Sequence, residues 1–254
     1  MITSLTNDKV KYVEKLKKKS SFRRSEECFV VEGIRMIREV PEELRRVLFL
    51  TEDALRQYPD LSDWCGTVET VTEQVLKKLS DTETPQGMLA VVHFPEKKTD
   101  ASKEALYLVL DGLQDPGNVG TLLRTAEAVG VTEVLLSRDT ADPFSPKVVR
   151  STMGAIFRVP VRIAESLPEE LRTMKKEGVR VLGTHLSGQD FYSTDLTGPV
   201  AVLVGNEGNG LTEAVTAEAD VLVRIPMEGK IESLNAAVSG SVVCYEVYRQ
   251  RNLR

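Results

Sequence analysis

The chain has 254 residues, of which 41% are hydrophobic and 28% are charged, the balance of a globular protein large enough for a hydrophobic core. Its three cysteines are far apart and its two histidines stand in no metal-ligand pattern. The sequence therefore indicates neither a disulfide framework nor a metal site, and it argues against a histidine-based triad. No run approaches the roughly 20 apolar residues that span a bilayer. The first residues lack the pattern of a signal peptide, so we expect a cytoplasmic protein without a membrane partner.

The net charge of −5 hides an uneven distribution. Residues 1–24 contain eight basic groups against Asp8 and Glu14 and carry a net charge of +6, so the rest of the chain carries −11. A basic arm on an acidic body predicts contact with the phosphates of a nucleic acid. The segment is equally typical of a solvated amphipathic helix, because Val10, Val13 and Leu16 recur at helical spacing. The two interpretations are compatible.

The first half of the chain mixes short strands and helices. After the basic helix, the pattern predicts strands over 28–32, 46–50 and 87–92, a helix over 33–40 and a helix that opens at Thr72, a capping residue. The polar stretch from Pro95 to Lys103 is typical of a linker. We therefore predict a first domain over 1–94, a linker over 95–104 and a second domain over 105–254.

The second half alternates continuous apolar runs with helical segments. Strands are predicted over 105–110, 133–137, 179–184, 200–204 and 221–225, and helices near 118–129, 145–153, 168–177, 211–217 and 233–251. This alternation predicts an α/β fold with a mostly parallel sheet that is covered by helices on both faces. Ligands bind such sheets in the loops that follow the carboxyl ends of the strands. We therefore expect the ligand-binding site to lie in those loops.

The first such loop runs from Asp111 to Gly120 and leads into a helix. Glycines allow a ligand to approach the backbone, and a helix N-terminus favours anionic groups. The loop has neither a dinucleotide fingerprint nor a Walker motif. Arg124 lies less than two turns beyond Asn118, within reach of a bound phosphate. From this loop alone, however, an ordinary surface arginine is the simpler interpretation.

Two further loops follow the strands at 200–204 and 221–225. The loop from Gly205 to Leu211 surrounds a lone carboxylate, Glu207, with glycines whose backbone N–H groups are exposed, although it is also compatible with a simple turn. The loop from Pro226 to Asn235 opens a helix rich in small residues, which favour close packing, and Asn235 is the residue suited to contact a ligand. The apolar side chains near this loop are suited to wall an adenine: Ile225, Met227 and Leu234.

Taken together, the three loops resemble the SpoU (TrmH-like) family of RNA ribose 2′-O-methyltransferases, within the wider SPOUT class. The family motifs appear in order as N-x-G-x-x-x-R-T-A over 118–126, G-N-E-G-x-G-L over 205–211 and I-P-M-x-G-x-x-E-S-L-N over 225–235. The resemblance covers residues 106–250. Residues 1–94 are similar, through Glu32-Gly33 and the run from Thr84 to Gly87, to a small α/β RNA-recognition domain that resembles a ribosomal protein.

The resemblance implies a deep trefoil knot at the C-terminal end of the catalytic domain, a homodimer, and S-adenosylmethionine bound in a bent form within the knot. It assigns the cofactor contacts to Gly205, Ile225 and Leu234, and Met227, Gly208 and Leu203 are assigned to the same cofactor site. It further implies an active site lined by Asn118, Glu207, Ser233 and Asn235, with Arg124 as the central catalytic residue. Many relatives have Val-Ser where this chain has Ala236-Ala237, which affects a minor hydrogen bond.

The expected reaction is methyl transfer from S-adenosylmethionine to a ribose 2′-hydroxyl of structured RNA, with ribosomal RNA favoured over transfer RNA by the basic N-terminal segment. Arginine is always protonated, so Arg124 is expected to clamp a phosphate and stabilise the developing alkoxide rather than act as a base. Asn118 and Asn235 are expected to hold the hydroxyl and the loops.

Four alternatives remain open from the sequence. The chain is compatible with a non-catalytic RNA-binding protein on the same fold, although such a protein need not keep Asn118, Arg124, Glu207 and Asn235 together. A transfer-RNA 2′-O-methyltransferase, or a methyltransferase acting on a base nitrogen, would keep the enzyme class and change the acceptor. A nucleotide-dependent oxidoreductase is disfavoured because the first loop lacks the dinucleotide fingerprint.

Overall fold

The computed structural model describes residues 1–96 and 104–252, and these fall into two compact units. The first unit contains residues 1–96 together with 142–157. The second unit contains the described residues of 104–141 and 158–252. The linker predicted over 95–104 falls mostly on residues 97–103, which lie outside the described residues.

Twenty helices and strands build the described chain. Up to residue 96 they are α1 (Asp8–Lys18), α2 (Ser20–Glu26), β1 (Cys28–Glu32), α3 (Ile34–Glu39), β2 (Arg45–Leu50), α4 (Glu52–Gln57), β3 (Val68–Thr70), α5 (Glu73–Leu79) and β4 (Met88–His93). From residue 104 onward they are β5 (Leu106–Asp111), α6 (Pro116–Val129), β6 (Glu133–Leu136), α7 (Pro146–Ser151), β7 (Val161–Ile163), α8 (Leu167–Lys176), β8 (Arg180–Asp190), β9 (Val200–Gly205), α9 (Glu213–Thr216), β10 (Val221–Arg224) and α10 (Ala236–Asn252).

The first unit is built on a four-stranded sheet with the order β1-β4-β2-β3. Strand β4 pairs antiparallel with both β1 and β2, whereas β2 and β3 are parallel. The strands predicted near 28–32, 46–50 and 87–92 are found, and the sequence missed the short β3 and α4. The basic segment forms two helices, because the backbone of Lys19 is extended between α1 and α2. Val10, Val13 and Leu16 are buried, as their helical spacing predicts.

Residues 142–157 belong to this first unit, although the sequence places them within the second half of the chain. Phe144 stacks on Phe94 with ring centroids 4.0 Å apart and lies 5.1 Å from the ring of Phe29. The guanidinium of Arg23, in α2, donates two hydrogen bonds to the carboxylate of Asp142. The contacts with Phe29 and Arg23 join positions more than 100 residues apart, and the contact with Phe94 joins positions 50 residues apart, so no local pattern in the sequence signals them.

Arg23 is the buried cation that fixes this segment, and its removal gives a first prediction. Its side chain also donates to the backbone carbonyls of Leu16 and Lys17, and the residue is 4% exposed. Replacing Arg23 by alanine leaves the Asp142 carboxylate without its cation, so we expect a loss of about 3–5 kcal/mol in the free energy of unfolding. Urea denaturation measures this loss.

The matched control is Arg24→Ala, which removes an exposed arginine from the next position of the same helix. Surface substitutions of this kind change stability by less than about 0.5 kcal/mol. Equal midpoints for the two variants would show that the ion pair of Arg23 contributes nothing.

The second unit is an α/β fold on a six-stranded sheet with the order β10-β8-β9-β5-β6-β7, in which every pair of neighbours is parallel. Helix α8 covers one face, where Leu171 packs in a core with Val109 and Leu203. Successive strand residues point to opposite faces, so Val204 points to the other one, where it meets Gly240 of α10. The prediction of a mostly parallel sheet covered on both faces is confirmed, and the trefoil knot stays a prediction.

Four of the predicted strands match within two residues, the sequence missed β7, and β8 is longer than predicted. In β8 the pairing with β10 jumps from Gly183 to Gln189, so residues 184–188 leave the ladder as a bulge. At the other side of β9, Asp111 at the end of β5 pairs with Gly205. The loops that follow β5 and β9 therefore begin side by side, as expected for parallel strands.

Candidate active site

The turn after β9 is so tight that only glycine fits at its first position. A Cβ atom on Gly205 would lie 2.2 Å from both the carbonyl carbon of Gly210 and the backbone nitrogen of Leu211. The turn closes through two backbone hydrogen bonds of 2.9 Å between Asn206 and Gly210. The four residues 206–209 are thus presented as a compact loop at the carboxyl end of the sheet.

Asn206 and Asp111 fasten the first two loops to each other. The Asn206 Nδ2 atom donates to the carbonyl oxygen of Gly112 at 2.7 Å, and its Oδ1 atom accepts from the backbone N–H groups of Gly208 and Asn209. The buried carboxylate of Asp111 accepts from the N–H of Thr212 at 2.7 Å. Neither residue was predicted to have a role at the site, although an asparagine inside the glycine turn and an aspartate at the end of an apolar strand were the available signals.

Glu207 is the centre of a hydrogen-bond network between the loops. Its Oε1 atom accepts from Asn118 Nδ2 at 2.9 Å and from the N–H of Asp115 at 3.1 Å, and its Oε2 atom accepts from the N–H of Gln114 at 3.1 Å. Burial alone would raise the pKa of Glu207, but the hydrogen bonds from Asn118 and from the backbone outweigh it, and the pKa lies below its ordinary value. The side chain is therefore a carboxylate at neutral pH.

Asn118 links this network to the third loop. Its Oδ1 atom accepts from Asn235 Nδ2 at 3.0 Å. The Oδ1 atom of Asn235 in turn accepts from the N–H groups of Ala237 and Val238, so Asn235 caps α10, and this helix begins at Ala236 rather than near 233. Glu207, Asn118 and Asn235, predicted from three separate motifs, thus form one continuous hydrogen-bonded row, which we call the Glu207 row.

A cavity of about 260 Å³ opens beside this row. It is lined by five residues predicted to contact the cofactor, together with two predicted for the active site, Ser233 and Glu207. The five are Gly205, Gly208, Ile225, Met227 and Leu234. Leu203 was assigned to the same site, but its side chain is fully buried in the apolar core and does not line the cavity. Thr184, His185 and Leu186 line it from the bulge in β8, where the sequence analysis had ended the strand.

Arg124 stands apart from the cavity. It lies on α6 six residues beyond Asn118, which places it about 9 Å along the axis and about 120° around it. The residue is exposed and has no hydrogen bond or ion pair within the part of the chain that the structure describes. The neighbouring Thr125 hydroxyl is 2.7 Å from that of Ser241, which ties this part of α6 to α10.

The described residues contain no cluster of three metal-ligating side chains. Among the described helices, none combines the length and the apolar character that crossing a membrane requires. The polar lining of the cavity consists of amide, carboxylate, hydroxyl, imidazole and guanidinium groups.

The chain is similar to proteins of known activity. The 23S rRNA (guanosine(2553)-2′-O)-methyltransferase RlmP of Bacillus subtilis is 34% identical over 250 residues, which cover 97% of this chain and 98% of the relative. A 23S rRNA (guanosine-2′-O-)-methyltransferase RlmB of Xylella fastidiosa is 42% identical over 156 residues, 60% of this chain and 62% of the relative.

Two solved structures are similar to this chain over nearly its whole length. The SpoU methyltransferase AviRb of Streptomyces viridochromogenes, in complex with the cofactor AdoMet, has a TM-score of 0.88 at 28% identity and covers 96% of this chain and 98% of that one. The AdoMet-bound rRNA methyltransferase of Sinorhizobium meliloti has a TM-score of 0.84 at 31% identity and covers 100% and 98%.

Two family models match the sequence. Residues 7–90 match an MRM3-like substrate binding domain. Residues 105–245, which contain the three loops and the Glu207 row, match the SpoU rRNA Methylase family. The resemblance inferred from the three motifs is confirmed, and the chain belongs to the SpoU rRNA methylase family.

Proposed function

We propose that this protein transfers the methyl group of S-adenosylmethionine to a ribose 2′-hydroxyl of ribosomal RNA. The observation that carries the proposal is the Glu207 row, which joins three loops at the edge of a cavity with apolar walls. RlmP and RlmB, to which the chain is similar, methylate guanosine ribose in 23S rRNA, and two neighbouring structures hold AdoMet.

The residues of the cavity fit S-adenosylmethionine. Ile225, Met227 and Leu234 provide an apolar wall for the adenine, and the missing side chain at Gly205 lets the backbone of Gly210 and Leu211 close the turn that borders the cavity. The anionic Glu207 stabilises a cation in its neighbourhood. When bound, the cofactor supplies a sulfonium-activated methyl group. The protein therefore has to orient the ribose oxygen and exclude water.

The two asparagines of the Glu207 row are placed to orient that oxygen. Each amide NH₂ group has two N–H donors. Asn118 uses one toward Glu207, and Asn235 uses one toward Asn118. One N–H of each asparagine is left for the ribose oxygen, and donors aimed at developing negative charge stabilise a transition state. Glu207, with both carboxylate oxygens engaged, positions Asn118 and the first loop rather than acting as a base.

We further propose a homodimer built on the exposed face of α10. Val238, Tyr245 and Tyr248 are 48%, 52% and 39% exposed and follow one another at helical spacing along that face. Thr125, the neighbour of Arg124, is hydrogen-bonded to Ser241 of α10, and Arg124 does not line the cavity of its own chain, so a single chain leaves the site without Arg124. A second copy seated on this face would place Arg124 of each copy at the cavity of the other.

The dimer gives a second prediction. Tyr245→Glu places a charge in the middle of the exposed face of α10, and we expect the mass from light scattering to fall from that of a dimer to that of a monomer. The matched control is Tyr192→Glu, which changes another exposed tyrosine outside α10 and should leave the dimer intact. A wild-type protein that elutes as a monomer would contradict the proposal directly.

The remaining parts of the proposal follow from this function. Residues 1–94 would bind the RNA substrate, and residues 105–254 would form the methyltransferase domain with its knot. The enzyme would act in the cytoplasm, where ribosomal RNA and S-adenosylmethionine are both present.

The decisive experiment incubates the protein with S-adenosylmethionine labelled in the methyl group and with ribosomal or transfer RNA from a strain that lacks the gene. We expect label in ribosomal RNA, on ribose, and none in a reaction with RNA from the parent strain, where the position is already methylated. Label in transfer RNA would change the substrate, and label on a base nitrogen would change the acceptor. If no RNA is labelled although RNA binds, the protein is a non-catalytic RNA binder.

A further inference from the structure

The first unit carries a row of two aromatic rings with a cation at each end, on α1, α2 and β2. The guanidinium carbon of Arg46 lies 5.3 Å from the ring centroid of Tyr12, whose ring meets that of Phe22 edge to face at 5.5 Å. The Lys15 Nζ atom lies 5.7 Å from the centroid of Phe22. We call these four residues the Tyr12 row. Both rings are half-buried and both cations are exposed.

Hydrogen bonds and packing against the core hold the side chains of the Tyr12 row in place. Arg46 donates to the Tyr12 hydroxyl at 2.7 Å and to the Cys28 sulfur at 3.0 Å, and the Tyr12 hydroxyl donates to Glu26 at 2.9 Å. Tyr12 and Phe22 pack their inner edges against the core of the unit. Because these side chains are already fixed, a ligand that binds to them would cost little additional side-chain entropy.

Uncompensated positive charge collects beside the same row. Of the eight basic residues in 1–24, four pair with carboxylates: Lys9 with Glu69, Lys11 with Asp8, Lys18 with Glu14 and Arg23 with Asp142. Lys17 is half-buried and donates to the carbonyl of Ser80. Among the described residues, Lys15, Lys19 and Arg24 have no acidic partner. Arg46 pairs with Glu26 at 3.9 Å, so the uncompensated charge is that of the lysines and Arg24.

We propose that the Tyr12 row binds unpaired nucleotides of the RNA substrate. Bases would stack on the exposed parts of Phe22, Tyr12 and the Arg46 guanidinium, while Lys15 contacts a phosphate. Aromatic rings and guanidinium planes stack on bases whose faces are free, whereas in a duplex those faces are hidden. An acidic protein surface would use the charges and leave the rings without a role. The inference rests on the proposed function, in which RNA is the substrate.

A second cation–aromatic pair in the same unit provides a matched control. The guanidinium carbon of Arg38 lies 5.6 Å from the ring centroid of Tyr58, a geometry close to that of Arg46 on Tyr12. Arg38 pairs with Asp60 at 3.4 Å, and Arg46 pairs with Glu26 at 3.9 Å, so both guanidinium groups have a carboxylate partner. The same substitutions are made in the Tyr12 row and in the Arg38–Tyr58 pair. A loss of RNA binding that is specific to the Tyr12 row can then be distinguished from a general effect of lost charge or of a lost exposed ring.

The test measures fluorescence anisotropy of the full-length protein, without cofactor, with an unstructured RNA of about 12 nucleotides and with a duplex of the same length. Phe22→Leu and Arg46→Gln are each expected to weaken single-strand binding by about tenfold, and Lys15→Gln by about threefold, because one stacked base or one phosphate contact is lost. Tyr58→Leu and Arg38→Gln should stay within about twofold of wild type. The duplex should respond to Lys15→Gln and hardly to Phe22→Leu.

A second experiment uses only the wild-type protein, so it does not depend on whether a variant folds. The protein is crosslinked to the same single-stranded RNA, which now carries 4-thiouridine. We expect crosslinks in peptides from α1, α2 or β2. Crosslinks confined to other peptides, or Phe22 and Arg46 variants that bind like the controls, would overturn the proposal. Complete displacement of RNA by polyglutamate, with no effect of Phe22→Leu, would point to an acidic protein partner instead. Because no cofactor is present, this outcome is independent of whether the protein transfers methyl groups.

Discussion

Replacing Arg124 by alanine will lower the rate of methyl transfer by about 10²–10³-fold while leaving the affinity for S-adenosylmethionine unchanged, since a group that stabilises developing charge acts in the transition state. Arg124 does not line the cavity and has no partner among the described residues, so its loss should not disturb the fold. Single-turnover kinetics and equilibrium dialysis of the cofactor measure the two quantities separately. Near-normal turnover would remove Arg124 from the mechanism.

Two variants sharpen this test. Arg124→Lys keeps the charge but loses the planar fork that binds a phosphate through two N–H groups, so we expect it to recover only part of the rate. Arg172→Ala removes an exposed arginine from α8, on the opposite face of the sheet, and should keep full activity. If Arg172→Ala is as slow as Arg124→Ala, the effect is one of net charge alone.

Mixing subunits distinguishes an arginine that acts within its own chain from one that acts across the dimer. Arg124→Ala and Asn235→Ala are both expected to be inactive as pure proteins. If Arg124 serves the cavity of the other copy, a heterodimer of the two contains one intact site. When an equal mixture of the two variants re-associates at random, half of the dimers are heterodimers, and each heterodimer has one intact site of its two. Such a mixture would therefore recover about a quarter of wild-type activity. An inactive mixture would place Arg124 at the site of its own chain.

Gly205→Ala will abolish cofactor binding. The new Cβ atom would lie 2.2 Å from the backbone of Gly210 and Leu211, so the turn has to open, and Glu207 has to move with it. A displacement of about 1 Å in such a site lowers activity by about 100-fold, and we expect at least that loss in affinity. Isothermal titration with S-adenosylmethionine measures the loss.

A glycine of the third loop is the control. Gly229→Ala meets no atom within 4 Å. Gly229→Ala should bind the cofactor as the wild type does. If Gly205→Ala also binds within about twofold of wild type, the tight turn is not part of the cofactor site.

The sequence predicted the elements of the second unit well, because continuous apolar runs and glycine-rich loops are local signals. It also predicted three of the four polar residues that were expected to converge, since parallel strands bring their following loops to one edge of the sheet. The six-residue spacing already implied that Arg124 lies about 120° around α6 from Asn118. The sequence could not show which of the two faces borders the cavity, because the rotation of α6 is a property of the packed helix.

Three further features were not predicted from the sequence, and each has a physical reason. Every residue of β9 is buried, so the apolar run carries no period that separates Leu203, in the core, from residues facing the cavity. The bulge at 184–188 depends on pairing with β10 nearly 40 residues further along the chain. The attachment of residues 142–157 to the first unit depends on Arg23 and Phe29, more than 100 residues earlier.

That attachment has a consequence for how the gene can be divided. The polypeptide leaves the first unit before residue 104, returns to it at Asp142 and leaves again after Phe157, so one unit is interrupted by part of the other. A fragment that stops at residue 96 would lack Phe144, which stacks on Phe94, and Asp142, which pairs with Arg23. A fragment that starts at residue 105 would contain residues 142–157 without the rest of the unit in which they pack. Fusions that exchange one recognition domain for another in this protein should therefore exchange residues 142–157 as well.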